Sequence, residues 1–332
     1  MDSAKLLQAL AGEPQFRIKQ AKQALGRDLI DDWQEAKTLP EPLRRRLNQE
    51  CPLALDSSFF VGRDSFKAVL RLTDGLSVET VLIKHRDGRQ TACLSSQVGC
   101  ALGCAFCATG SLGFKRNLTA GEILDQVLLL ARHLKKTRQG KISQVVLMGM
   151  GEPLLNYEAV KEALKWLNDK DMFGLGWRHM SLSTAGIAPA IRNFTKDFPQ
   201  VNLAVSLHAP TDELRSQLMP INRRYNLQQL FKAVDAHIRA TSRQVMFEYT
   251  LLKGVNDSPA QARALAKLMD KSLYVLNLIY YNPTGAFQPS GREVFDDFYL
   301  TLKKAGIKVT KRFSPGQDIA AACGQLIGRP FA

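Results

Sequence analysis

The segment Cys100-Ala-Leu-Gly-Cys104-Ala-Phe-Cys107 places three cysteines within eight residues of a 332-residue chain. In a reducing cytosol, thiols crowded in this way favour metal or redox chemistry over a disulfide framework. A structural zinc site requires four protein ligands, and no fourth cysteine or histidine follows at zinc-ribbon spacing. A 4Fe-4S cluster held by only three thiolates keeps one iron open to a small-molecule ligand. The segment therefore predicts such a cluster on these three cysteines, with zinc as the alternative.

Composition and charge narrow the class of protein. Hydrophobic residues make up 45% and charged residues 23%, as in ordinary globular chains. The apolar runs are too short to cross a bilayer, and the first residues lack the pattern of a secretion signal. We therefore expect a cytoplasmic protein with no membrane partner. The formal net charge of +14 favours a polyanionic partner such as nucleic acid, although a basic soluble surface would give the same balance.

Downstream of the cysteines, predicted strands and helices alternate. Thr119 and Glu122 have the spacing of a capping box, which predicts a helix reaching about Lys136. Alternation of this kind implies a parallel sheet with right-handed crossovers, and about six βα units fit an incomplete (β/α)6 barrel. The later elements are predicted as strands 144–150, 180–184, 201–207, 244–252, 274–281 and 307–312, and as helices 157–168, 188–196, 227–239, 260–271 and 292–305.

Two smaller parts precede the barrel. Residues 1–60 show apolar residues at helical spacing and scattered basic residues, which predicts an N-terminal helical accessory module as a candidate RNA contact. Residues 61–89 contain two strand-like stretches around Asp74-Gly75, which predicts a β-hairpin extension. A predicted strand over 90–96 carries Cys93 into the cysteine segment, so the main domain spans 90–332.

Polar residues and glycines follow the ends of several predicted strands, where barrels of this kind hold their active sites. Gly151 would let a ligand approach the backbone, and the Glu152 carboxylate can accept a hydrogen bond from an ammonium group. Taken singly, such residues are as often turn, cap or core residues. Together they predict a site for a nucleoside and an amino-acid group. The remaining strand-end residues are Ser183, Thr184, Ser206, Leu207, His208 and Asn282.

Three motifs together resemble the RlmN/Cfr family of radical SAM RNA methyltransferases. They are the cysteine segment, Met148-Gly149-Met150-Gly151-Glu152-Pro153 and Ala322-Cys323-Gly324-Gln325-Leu326. The resemblance extends from about Glu79 to Gly328, and more loosely over the helical module. The cysteine segment alone would indicate only the wider radical SAM superfamily.

The resemblance implies a set of site residues and two cofactors. Cys323 would carry a methyl group, Cys93 would be its partner thiol and form a disulfide with it, and Glu79 would be the proton acceptor. The cofactors would be the 4Fe-4S cluster on Cys100, Cys104 and Cys107, and S-adenosylmethionine. The residues that would bind S-adenosylmethionine are Gly151, Glu152, Ser183, Ser206, Leu207, His208 and Asn282. Without the resemblance, Cys93 and Cys323 would be interpreted as two unrelated buried thiols.

The resemblance also implies the reaction. One S-adenosylmethionine would methylate the Cys323 thiolate. A second, cleaved reductively, would give a 5′-deoxyadenosyl radical that takes a hydrogen from that methyl group, and the resulting carbon radical would add to an adenine ring carbon. By analogy the substrate is 23S rRNA, with tRNA as a further substrate. The C2 position is favoured because residues 151–156 are closer to RlmN, and Cfr-like C8 methylation or another RNA target is the alternative. A reducing electron donor such as a flavodoxin system would be required.

The target adenosine must leave its stack to reach a buried radical. Basic residues near the expected opening are candidates for phosphate contacts, namely Lys115, Arg116, Arg223, Arg224, Lys311 and Arg312. Two other functions stay open from the residues: a radical SAM enzyme that acts on a peptide or small molecule, and a zinc-stabilised RNA-binding module without catalysis.

Overall fold

The structure is a computed structural model that describes residues 3–328, with side chains from residue 5 onwards. The strands are β1 (Ser57–Val61), β2 (Ser65–Arg71), β3 (Ser77–Lys84), β4 (Gln90–Cys93), β5 (Gln97–Gly99), β6 (Phe114–Asn117), β7 (Gln144–Leu147), β8 (Met180–Thr184), β9 (Asn202–Ser206), β10 (Val245–Leu251), β11 (Tyr274–Tyr280) and β12 (Val309–Arg312). The helices are α1 (Ser3–Ala9), α2 (Gln15–Gly26), α3 (Glu41–Glu50), α4 (Ala108–Ser111), α5 (Ala120–Thr137), α6 (Tyr157–Asn168), α7 (Ala188–Asp197), α8 (Asp212–Leu218), α9 (Leu227–Thr241), α10 (Pro259–Leu268) and α11 (Arg292–Lys304).

Ten of the strands form one sheet in the order β1-β2-β3-β4-β7-β8-β9-β10-β11-β12. Strands β1 to β4 are antiparallel neighbours. Strand β4 and strands β7 to β12 are all parallel, and helical crossovers connect them. Within residues 3–328 no ladder joins β12 back to β4, so the barrel is open. The predicted incomplete (β/α)6 barrel with a β-hairpin extension is confirmed.

Helix α5 shows why the first crossover forms where the sequence predicts it. The Thr119 hydroxyl accepts a hydrogen bond from the Glu122 amide, and the Glu122 carboxylate accepts one from the Thr119 amide. Ile123, Leu124 and Val127 are fully buried on this helix, and side chains of this size each stabilise the fold by about 1.5–3 kcal/mol when buried. None of the helices within the described residues is long and apolar enough to cross a bilayer.

The N-terminal helices pack around Trp33, which is fully buried and donates from Nε1 to the Cys51 carbonyl at 2.8 Å. Strand β1 follows these helices inside the stretch predicted as the accessory module. It pairs with β2, so the last residues of that stretch belong to the sheet.

One local prediction was wrong, and one helix was missed. The strand predicted over residues 90–96 ends at Cys93, because the Ser95 side chain donates to the Glu79 carbonyl at 2.6 Å and its amide bonds the Gln126 side chain. Strand β5 then pairs with β6 in a separate two-stranded sheet. Helix α8 was not predicted, since its seven residues carry mostly polar side chains and one of them, Arg215, is fully buried.

Candidate active site

One cavity brings together most of the residues singled out from the sequence. Five of the six cysteines line it, drawn from β4, from the loop after β5 and from the C-terminal segment. The predicted site residues on its wall are Cys93, Cys100, Cys104, Cys107, Gly151, Glu152, Ser183, Ser206, His208, Asn282 and Cys323. Glu79 and Leu207 do not line it.

The three clustered thiols face this cavity from a loop with tight backbone turns. The Cys107 amide donates to the Cys104 carbonyl at 3.1 Å, and the Cys100 amide donates to the Gly113 carbonyl at 3.2 Å. Burial raises the pKa of Cys104 well above its usual range, and the neighbouring thiols of Cys107 and Cys100 raise it further. Burial also raises the pKa of Cys100 to about 11. Thiols with pKa values raised in this way lose their protons at neutral pH only when they bind a metal cation.

The arrangement of the thiols fits a cluster. Among residues 3–328, no three His, Cys, Asp or Glu side chains converge closely enough to chelate a single ion. A 4Fe-4S cluster can bind three cysteines, each through a different iron, and the three clustered thiols all line this cavity.

Gly151 and Glu152 form the next part of the wall. Gly151 has a φ of +97°, and a Cβ there would lie 2.5 Å from the Cβ of Gln97, so only glycine fits. The buried Glu152 carboxylate accepts hydrogen bonds from the amides of Leu154 at 3.1 Å and Ala185 at 2.7 Å. Burial raises the pKa of Glu152 to about 7. This carboxyl can therefore switch between neutral and charged forms near neutral pH.

His208 presents a neutral imidazole to the cavity. Its Nδ1 accepts a hydrogen bond from the Thr250 amide at 3.0 Å, so the ring proton lies on Nε2. Burial, with a smaller contribution from Arg215, lowers the pKa of His208 to about 3. The Phe106 ring packs edge-on against it with centroids 4.5 Å apart. The Nε2–H group is the donor that this ring can offer to a ligand.

Arg215 fixes the strand ends beside His208, and sequence reasoning missed it. The guanidinium donates to the carbonyls of Ala185 at 2.7 Å, Ser206 at 2.9 Å and Leu207 at 3.2 Å. Leu207 is itself fully buried, which explains why its side chain is absent from the cavity wall. An arginine on a short polar helix carries no sequence signal for this role, because its partners are carbonyls from other strands.

The segment that carries Cys323 is held at several points. Asn282 donates from Nδ2 to the Cys323 carbonyl at 3.1 Å, and its Oδ1 accepts from Gln317 at 2.6 Å. The Ala108 amide, directly after the cysteine loop, donates to the Gly324 carbonyl at 2.8 Å. Cys323 is an exposed residue on the cavity wall, so a ligand in the cavity can reach it.

Cys93 and Cys323 both line the cavity, and Arg312 lies on the same wall. Burial, with a smaller contribution from the Cys323 thiol, raises the pKa of Cys93 to about 12 against the opposing effect of Arg312. Although Cys323 is an exposed residue, the protein atoms packed around its thiol exclude water from it and raise its pKa, and Arg312 again has the opposite effect. Both are free thiols in this structure. Two thiols that are distant in the chain thus line the same cavity as the Arg312 guanidinium.

Glu79 is fully buried behind the cavity wall. Lys67, itself 2% exposed, places its Nζ 3.4 Å from the Glu79 carboxylate and 3.3 Å from the Ala320 carbonyl. The other carboxylate oxygen accepts a hydrogen bond from the Ile327 amide at 3.1 Å. Glu79 is therefore tied to the segment that carries Cys323. Lys67 was not predicted, because a lysine in a strand is ordinarily expected to be solvated.

Of the six predicted phosphate contacts, three lie beside carboxylates of the protein. Lys311 pairs with Asp296, and Arg312 lies 3.7 Å from Glu248. Arg116 is held between two carboxylates, those of Asp74 at 2.5 Å and Glu122 at 2.8 Å. The other three, which are exposed, are Lys115, Arg223 and Arg224.

Comparison with known proteins gives a consistent result. The radical SAM superfamily pattern matches residues 94–266. The chain is 45% identical to a probable dual-specificity RNA methyltransferase RlmN from Moorella thermoacetica, over 95% of this chain and 90% of that protein. It is 43% identical to a ribosomal RNA large subunit methyltransferase Cfr from Clostridium botulinum, over 94% and 92%. A crystal structure of a radical SAM methyltransferase from Sphaerobacter thermophilus superposes with a TM-score of 0.94 at 42% identity, covering 99% of this chain and 98% of that one.

Proposed function

The chain belongs to the RlmN/Cfr family within the radical SAM superfamily, and from that premise we propose that it methylates a ring carbon of adenosine in RNA through an S-methylcysteine on Cys323. It is an S-adenosylmethionine-dependent RNA methyltransferase. The observation that supports the Cys323 route is the position of this residue on the same cavity wall as Cys93 and the three clustered cysteines.

The cofactors of the family are a 4Fe-4S cluster and S-adenosylmethionine, and the residues present fit both. We assign the cluster to Cys100, Cys104 and Cys107. When bound, it supplies the electron for reductive cleavage of S-adenosylmethionine.

Several strand-end groups are suited to holding S-adenosylmethionine. The ionised Glu152 carboxylate would accept from its ammonium group, and the neutral His208 would donate from Nε2. The hydroxyls of Ser183 and Ser206 and the amide of Asn282 would bind its polar edges, and Gly151 would let it approach the backbone. Leu207 would contribute through its position between Ser206 and His208, since its side chain is buried in the core.

The two facing thiols would act in sequence. The Cys323 sulfur, as a thiolate, takes a methyl group from the sulfonium of S-adenosylmethionine, which leaves as the thioether. After the methyl carbon has been joined to RNA, the Cys93 thiolate attacks the Cys323 sulfur. That attack would form the Cys93–Cys323 disulfide and break the bond between sulfur and carbon, and the carbon would leave with the bonding electron pair and take up a proton to become the methyl group on adenine. Arg312 would stabilise both thiolates, because it lowers the pKa of each thiol.

Glu79 would take the proton that the adenine carbon loses. In the structure it is engaged with Lys67 and the Ile327 amide, so this role requires the Cys323 segment to shift when RNA binds. Whether Glu79 can accept this proton therefore depends on the position of the segment that carries Cys323.

The substrate and partners follow from the family. We propose C2 of an adenosine in 23S rRNA, and also tRNA, because the relative at 45% identity is named a dual-specificity RNA methyltransferase RlmN. The 43% identity to proteins named Cfr supports C8 as the second candidate. We further propose that the enzyme works in the cytoplasm with a reducing protein such as flavodoxin.

The test is anaerobic reconstitution with iron and sulfide, followed by turnover with methyl-deuterated S-adenosylmethionine and an rRNA fragment. Mass spectrometry of the digested nucleosides should find labelled 2-methyladenosine, and Cys323→Ala should abolish it. Labelled 8-methyladenosine would transfer the assignment to C8. No labelled nucleoside from wild type, or full product from Cys323→Ala, would overturn the proposal.

A further inference from the structure

The cavity contains a second buried carboxylate that the proposed chemistry leaves unused. Glu248 on β10 is 5% exposed and lies on the cavity wall. One oxygen accepts a hydrogen bond from the Asn277 amide at 2.8 Å, and the other, Oε2, is buried with no hydrogen-bond partner among the described residues. Buried polar atoms without partners are rare in folded proteins, and one on a residue that lines a cavity is a candidate acceptor for a ligand's donor.

A guanidinium lies next to this carboxylate. Arg312 on β12 places Nη1 3.7 Å from Glu248 Oε1, and its side chain, 39% exposed, also lines the cavity. At that distance the two side chains form a loose ion pair without a hydrogen bond. Each keeps capacity for another partner, the carboxylate as an acceptor and the guanidinium as a donor.

The Glu248–Arg312 pair lies near Cys323, the methyl-carrying thiol. Arg312 and Glu248 both influence the pKa of Cys323, and Arg312 influences that of Cys93. The other cavity carboxylate, Glu152, acts instead on Cys100 and Cys104. Glu152 is thus close to two of the cluster ligands, and Glu248 is close to the methyl-carrying thiol, which itself lies near the third ligand, Cys107.

An acceptor beside a donor matches one edge of adenine. The 6-amino group of adenine donates, and the neighbouring ring nitrogen accepts. Enzymes that act on an extruded base read such edges by hydrogen bonding. We propose that Glu248 Oε2 accepts from the 6-amino group of the target adenine while Arg312 donates to the adjacent ring nitrogen, so that this pair selects adenosine. The inference rests on the proposed function, because it assumes that an RNA adenosine reaches Cys323.

A base with a 6-oxo group would be rejected at this subsite. Hypoxanthine presents an acceptor where adenine presents a donor, so its oxygen would face the Glu248 carboxylate. Purine riboside, which lacks the 6-amino group, would leave the carboxylate oxygen unpaired. A site built to bind a hydrogen-bonding group discriminates strongly against analogues that lack it.

The experiment compares RNA fragments that carry adenosine, inosine or purine riboside at the target position, using the reconstituted holoenzyme. Wild type should prefer adenosine by roughly tenfold or more in kcat/KM. Glu248→Gln can present either a donor or an acceptor, so its preference over inosine should fall to about threefold or less. Glu158→Gln, a change of the same kind on the exposed face of α6, should behave as wild type.

Two further readouts separate the outcomes. Methylation of Cys323 by S-adenosylmethionine without RNA, followed by intact-protein mass spectrometry, should persist in Glu248→Gln. A loss there would place Glu248 at S-adenosylmethionine and overturn the inference, as would unchanged discrimination by Glu248→Gln. If that variant does not fold, Glu248→Asp must retain the preference for adenosine at a lower rate, and loss of the preference in this charge-conserving variant would also overturn it. Failure of wild type to methylate any adenosine RNA would instead refute the proposed function.

Discussion

The Lys67 ammonium lies 3.4 Å from the Glu79 carboxylate, and neither side chain is more than 3% exposed. Lys67 also bonds the Ala320 carbonyl, while Glu79 accepts from the Ile327 amide. One buried ion pair thus joins the β2–β3 hairpin to both sides of Cys323. The hairpin is therefore part of the structure that positions this cysteine.

Lys67→Met should destabilise the protein strongly, because it leaves the Glu79 carboxylate buried without its cation. Loss of one partner from a buried pair costs about 3–5 kcal/mol. The free energy of unfolding, measured by urea titration of the reduced protein, should fall by that amount. Lys141→Met, at an exposed position, should change it by less than about 0.5 kcal/mol. The double variant Lys67→Met/Glu79→Met should regain part of the loss, and a strictly additive double variant would contradict the pairing.

The sequence was sufficient for features that depend on local patterns. The Thr119–Glu122 capping box, the Asp74-Gly75 turn and the alternation of strands and helices each formed as predicted. These signals lie within a few residues of one another, so the fold class followed from them, whereas the roles of Cys93 and Cys323 were implied only by the family resemblance.

Buried charges were not predictable in the same way. Lys67 and Arg215 are among the most buried polar residues, yet their partners are distant in the chain or are backbone carbonyls. Residue type alone favours a solvated side chain at such positions. The burial of Leu207 at a strand end could not be predicted either, because it depends on the local turn of the backbone before His208.

Binding of S-adenosylmethionine should depend on pH through Glu152. Its pKa is raised to about 7 by burial, so the carboxyl becomes protonated as the pH falls through that value. A neutral carboxyl cannot pair with the ammonium group, and the dissociation constant should rise about tenfold per unit below pH 7 and level off above it. Isothermal titration of the cluster-loaded protein measures this. Glu152→Gln should bind weakly at every pH, and an equally steep profile in that variant would exclude Glu152 as the titrating group.

The two facing thiols should differ in reactivity before the cluster is loaded. The pKa of both thiols is raised, that of Cys93 to about 12, but Cys323 is exposed on the cavity wall whereas Cys93 is half-buried. Only the thiolate is alkylated, so labelling of Cys93 by iodoacetamide should be slower and should rise about tenfold per pH unit through pH 10. Peptide mass spectrometry resolves the two sites. If the labelling rate of Cys93 instead reached a plateau just above pH 8.5, the pKa of an ordinary thiol, the burial of Cys93 would be contradicted.

Asn282→Ala should loosen the segment around Cys323. The change removes the hydrogen bonds to the Cys323 carbonyl and from Gln317, at a cost of about 1–3 kcal/mol in unfolding free energy. Amide hydrogen exchange over residues 317–327 should become faster. Asn168→Ala removes a comparable bond to the Leu175 carbonyl and should leave exchange in that segment unchanged. Equal effects of the two variants would mean that Asn282 acts only through global stability.

Lys115 and its neighbour Arg116 should contribute differently to RNA binding. Lys115 is exposed, whereas Arg116 is already neutralised by Asp74 and Glu122. Each phosphate contact contributes about 0.7–0.9 to the slope of log affinity against log salt concentration. Lys115→Ala should therefore reduce this slope by about that amount in fluorescence anisotropy titrations with an rRNA fragment. Arg116→Ala should leave the slope unchanged and lower the melting temperature, because it leaves two carboxylates without their cation. A reduced slope for Arg116→Ala would show that the arginine leaves its carboxylates to bind phosphate.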